Sequence, residues 1–105
     1  MTRIVYDRAD YCVTVEGHAG YSAAGTDIVC AAVSALTEAL LRRASGRPSF
    51  QAAYGINREK ALVRVRLTPR SRRAAALARE TLETVCAGYA AIAEQAPDFV
   101  RFEVR

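Results

Sequence analysis

Ile4 and Tyr6, then Tyr11, Val13 and Val15, and much later Val63, Val65 and Leu67, alternate with more polar neighbours. A spacing of two puts such residues on one face of a strand, so these stretches must cover a core with one side of a sheet. Elsewhere the apolar spacing becomes helical. Val29, Val33, Leu36 and Leu40 form one stripe, and Leu77, Leu82, Val85, Tyr89 and Ile92 form another.

Turn and cap residues divide these patterns. Asp7-Arg8-Ala9-Asp10 separates strands over about 2–7 and 11–17, which makes an opening hairpin. Gly17, Gly20 and Gly25 punctuate a loop of small residues. Thr26 or Asp27 caps a helix that Gly46 and Pro48 stop, with Arg42 and Arg43 suited to its C-terminal end. Ser49 to Ile56 and Lys60 to Leu67 read as two further strands about an Asn57-Arg58-Glu59 turn. Arg64 and Arg66 give the second of them a cationic solvent face. Thr68-Pro69 opens a second helix, with proline at its first position, and Pro97 ends it. Phe99 to Val104 is a last strand.

The order is ββαββαβ, in one domain spanning residues 1–105. Hairpins favour antiparallel pairing. The expectation is an α/β chain of the α+β type: a mostly antiparallel β-sheet with two helices packed on one face. The other sheet face is then exposed or covered in a dimer.

Composition narrows the class. With 51% hydrophobic and 25% charged residues, the 105-residue chain can bury a core without disulfides or metals. No apolar run approaches the roughly 18 residues of a membrane span. The charged start Met1-Thr2-Arg3 does not read as a signal peptide, so the expected location is the cytoplasm. Cys12, Cys30 and Cys86 are odd in number and form no CxxC pair, which argues against a disulfide framework. His18 is the single histidine, so a zinc site would need carboxylates to complete it. The net charge is +4, the pI about 9.3, and Lys60 is the only lysine. This arginine excess is either a solvated surface or a contact with RNA.

Chemistry concentrates in residues 17–34. If Asp27 caps the helix, Cys30 lies in its first turn, where unpaired N–H groups carry about half a positive charge. That field favours thiolate over thiol, and a thiolate is the nucleophile that acyl transfer requires. His18 stands where the second strand gives way to the loop. The returning chain can bring it beside Cys30, as base for the thiolate and acid for the leaving amine. The plainer alternative is a small core cysteine and a structural histidine. Cys12 and Cys86 fit a strand interior and a helix face. Asp27 is an N-cap or a third member orienting His18. Ser34, one turn beyond Cys30, contacts substrate or the oxyanion, or simply allows close packing. Backbone N–H groups near Cys30 and the helix start are candidate oxyanion donors. Tyr21 and Tyr54 are candidates for lining an aromatic groove.

The pairing of Gly17-His18-Ala19 with Gly25-Thr26-Asp27-Ile28-Val29-Cys30-Ala31 closely resembles the ribosomal-processing cysteine protease family, Prp. The resemblance spans the chain in length and element order, and its specific residues lie within 17–34. It implies a cysteine protease with a His18–Cys30 dyad, and it leaves Asp27, Ser34 and Gly25 as supporting or substrate-binding candidates. It implies removal of the N-terminal extension of the twenty-seventh large-subunit ribosomal protein, by a cut after an aromatic residue. It also implies a homodimer and a loop, 19–26, that moves to admit substrate. No metal or organic cofactor is implied. Two other classes remain: a non-enzymatic ribosome- or RNA-docking module using the arginine-rich surface, and a thiol-based redox or metal sensor.

Overall fold

The structure, a computed structural model, describes residues 1–23 and 26–105. The elements follow in the order β1 (Thr2–Asp7), β2 (Cys12–Glu16), α1 (Ile28–Ala44), β3 (Phe50–Asn57), β4 (Leu62–Pro69), α2 (Arg72–Gln95) and β5 (Val100–Val104). They build the expected ββαββαβ fold. One five-stranded sheet has the order β3-β4-β2-β1-β5. Its pairs are antiparallel except β1 with β5, which run parallel.

The order explains why both helices share a face. β2 and β3 run the same way, and so do β4 and β5, so α1 and α2 are each a crossover between parallel strands. β2 and β4 point in opposite directions, and their crossovers travel to opposite edges. The right-handed rule for such connections then puts both helices on the same side.

The period-two residues meet that helical layer. Ile4 and Tyr6 of β1, Val13 and Val15 of β2, and Val65 and Leu67 of β4 are buried with Val29, Val33 and Leu40 of α1 and Ala78, Leu82 and Tyr89 of α2. α1 and α2 approach closely where Leu36 lies over Gly88; a Cβ there would stand 2.7 Å from Leu36 Cδ1. Thr37 and Tyr89 share a 2.7 Å hydroxyl hydrogen bond inside this layer. The helix-free face is charged. Arg3, Glu16, Arg64, Arg66, Arg101 and Glu103 stand around a shallow hollow of about 430 Å³.

The second helix starts later than the Thr68-Pro69 pair suggests. Both residues extend β4, paired with Gln51 and Phe50 of β3. Ser71 is the cap, and its side chain accepts from Ala74 N–H at 3.0 Å. β4 pairs with β2 only as far as Arg66, so at Pro69 that flank is a sheet edge, where proline is tolerated. The ladder thus prevails over a sequence pattern that equally suits a helix start.

Candidate active site

The site forms where β2 ends and α1 begins. Gly17 turns the chain out of β2 at φ +89°. A Cβ at this position would come within 2.5 Å of the Met1 carbonyl oxygen, so the close approach of β1 and the positive φ both demand glycine. His18 follows on the surface, and Ala19 is buried in the core.

Asp27 opens α1 and ties two backbone segments together. Its Oδ1 accepts from Val29 N–H at 3.0 Å and Cys30 N–H at 2.9 Å. Its Oδ2 accepts from Tyr21 N–H at 3.0 Å and Ser22 N–H at 3.3 Å. The Cys30 N–H bond is the largest influence holding this carboxyl below its ordinary range; burial opposes it, and the Ser22 N–H, the Cys30 side chain and the Tyr21 N–H add to the lowering. Asp27 is therefore the N-cap. Among the described residues none of its hydrogen bonds reaches His18. Gly25, one of the supporting candidates, lies outside the described residues.

Cys30 is half-buried in the first turn of α1. The N–H of Ala19 donates to its sulfur, with N···Sγ 3.3 Å. Residues 19, 21 and 22 thus turn their N–H groups inward toward Sγ and a carboxylate, a concave arrangement suited to anions.

His18, Asp27, Cys30 and Ser34 come together in one pocket of about 280 Å³, completed by Gly20, Ser22 and Ala31. His18 and Cys30 share its wall, and among the described residues no hydrogen bond joins them directly. Ser34 is exposed one helical turn from Cys30, so it faces whatever occupies the pocket.

The remaining candidates separate. Tyr21 packs edge-on against Phe99, with centroids 5.3 Å apart. Tyr54 sits on edge strand β3 opposite Val65 and does not line the pocket. Cys12 and Cys86 are buried, and burial, with Glu83 adding to it, pushes the Cys86 thiol up to about 12. Among the described residues no three His, Cys, Asp or Glu side chains cluster as a metal would require. Sequence reading does not reach the Ala19 N–H on the Cys30 sulfur, nor the Tyr21 and Ser22 N–H groups on Asp27. Main-chain direction leaves little trace in residue type, and the only signal is a small residue between His18 and Gly20.

Comparison with known proteins identifies the fold and the family. An essential ribosomal processing protease, Prp, from S. aureus, in complex with a covalently linked product peptide, superposes with a TM-score of 0.85 at 21% identity over 100% of both chains. The same protease with a substrate peptide gives 0.78 at 20% identity, again over 100% of both chains. A Streptococcus mutans protein gives 0.75 at 23% identity, over 98% of this chain and 90% of its own. At these identities the likeness is one of fold. No curated protein matches the sequence significantly. A family model described as Cysteine protease Prp matches residues 1–101. The chain belongs to the Prp family of cysteine proteases.

Proposed function

We propose that this chain is a ribosomal-processing endopeptidase in which Cys30 is the nucleophile and His18 its acid–base partner. The observation that carries the reading is the placement of the Cys30 sulfur in the first turn of α1, 3.3 Å from the Ala19 nitrogen and in one pocket with the only histidine. The helix terminus and the Ala19 N–H face the reacting sulfur, and the imidazole supplies a proton to the departing amine. The substrate is the N-terminal extension of the twenty-seventh large-subunit ribosomal protein, cut after an aromatic residue. The S. aureus relative, described as a ribosomal processing protease and captured with substrate and product peptides, supports that class of substrate. Residues 24 and 25 of the loop 19–26 lie outside the described residues; peptide enters as residues 20–23 shift about the buried Ala19, which takes the Tyr21 and Ser22 N–H groups from Asp27. The enzyme acts as a cytoplasmic homodimer that meets its substrate at or near the ribosome.

The test is a synthetic peptide spanning that extension and the cleavage junction. Wild-type protein should make one cut, Cys30→Ala none, and His18→Ala should lose about 10²-fold or more in rate. Replacing the aromatic residue before the cut by alanine should suppress cleavage. Cleavage by folded Cys30→Ala at the wild-type rate rules out the dyad. Indifference to the aromatic residue rules out the specificity. Sedimentation of the same sample measures the dimer.

A further inference from the structure

Acyl transfer needs donors aimed at the oxygen that becomes negative, and the donor most often used is already engaged here. In the serine-protease arrangement the nucleophile's own N–H serves. In this chain the Cys30 N–H is held by Asp27 Oδ1 at 2.9 Å, the Val29 N–H by the same oxygen at 3.0 Å, and the Ala31 N–H by the Asp27 carbonyl at 3.0 Å. Freeing the Cys30 or Val29 N–H would strip a carboxylate of its partners at the very place where negative charge is to form. The donor that already points at the reacting atom is the Ala19 N–H, 3.3 Å from Sγ.

We infer that the main-chain N–H of Ala19 is the principal oxyanion donor. The inference rests on the protease reading above. The Cys30 thiolate attacks the peptide carbonyl carbon and forms a C–S bond, while the C=O π pair moves onto oxygen. That oxygen is one bond angle from sulfur, so a donor directed at Sγ needs only a small shift to reach it. Collapse restores C=O and breaks C–N, and the amine leaves with the proton of the His18 imidazolium. Water then adds to the thioester, giving its proton to His18. The second collapse breaks C–S and returns the thiolate. The oxygen becomes negative twice, and the Ala19 N–H meets it both times. Between these events the same N–H returns to sulfur. Burial of Ala19 at 2% exposure fixes its direction in advance, which is what makes such a donor effective. The motif's pairing of Ala19 with His18 thereby gains a reason: one residue carries the proton and its neighbour carries the oxyanion donor.

The test replaces one atom group. Ala19→lactate, made by semisynthesis, keeps the methyl and turns the N–H into an ester oxygen. Two rates are read across pH on folded protein: peptide cleavage and alkylation of Cys30 by iodoacetamide. If the N–H serves only the thiolate, both rates recover together at a pH where alkylation has levelled off. An oxyanion donor instead leaves cleavage reduced by about 10²–10³-fold at that pH, in kcat rather than KM, with alkylation at the wild-type rate. Equal recovery of the two overturns the inference while wild-type cleavage keeps the protease reading. A wild type that cleaves nothing overturns both. Should the ester variant fail to fold, the ¹⁵N-labelled wild type treated with a peptide aldehyde gives the answer. The Ala19 amide proton should show the largest downfield movement on adduct formation, and an unmoved resonance overturns the inference.

Discussion

Asp27 joins folding to chemistry with a single carboxylate. Its two oxygens accept from Tyr21, Ser22, Val29 and Cys30, so it sets the helix start and the preceding loop together. Alanine there should lower the urea midpoint and slow cleavage. The Asp27→Asn substitution should do so less, because its amide keeps one acceptor and presents NH₂ to donors. The pH dependence has a definite sign. The folded carboxyl lies below the unfolded value of about 3.9, so its stabilisation is present above that value and is lost as pH falls through the folded one. The difference in midpoint between wild type and Asp27→Asn should therefore shrink below about pH 4; an unchanged difference contradicts the clamp. The cap was legible in the sequence because Asp before an apolar helical stripe has few other uses. Its second pair of bonds was not, since they come from backbone groups in a loop.

At the scale of elements, both hairpins turn by the same device. Asp7 Oδ1 accepts from Asp10 N–H, and Asn57 Oδ1 from Lys60 N–H. The next residue in each case, Tyr11 or Ala61, then takes positive φ, 51° and 49°. A non-glycine residue is strained in that region by about 1–2 kcal/mol. Ala61→Gly should accordingly raise stability by about 0.5–1 kcal/mol in urea denaturation, with glycine's greater unfolded freedom offsetting part of the relief. A loss of stability would show that the Ala61 methyl matters more than its backbone. The strands and the turns between them were readable from alternation and from Asp and Asn. The start of α2 was not. Thr68-Pro69 and Ser71 both resemble helix openings, and only the pairing of Thr68 with Gln51 separates them.

The whole molecule sorts its three thiols by depth. Cys12 lies within the sheet and Cys86 between helix and core, both buried, while Cys30 is half-buried and lines the pocket beside His18. Under native conditions near neutral pH, a maleimide should modify Cys30 first. Cys12, at 6% exposure on the wall of the helix-free hollow, should react more slowly, and Cys86 only as the chain unfolds, being also held protonated by burial up to about 12. Rapid native labelling of Cys86 would contradict the packing. The helix-free face bears on the docking alternative. Its arginines are interleaved with Asp7, Asp10, Glu16 and Glu103, and Arg66 lies 3.8 Å from Asp10, so no continuous field favours a polyanion there. The layer arrangement was legible from the order of patterns. The strand order was not, because alternation says which face a residue takes and nothing of which strand lies beside it.

At this scale the central claim is that peptide cleavage passes through a thioester on Cys30. Acid quenching of a single turnover on the leader peptide, followed by fragment mass measurement, tests it most directly. The N-terminal product should be attached to Cys30 and to no other residue, with neither adduct nor cleavage in Cys30→Ala. Cleavage that persists in Cys30→Ala, or an adduct on Cys12 or Cys86, would contradict it.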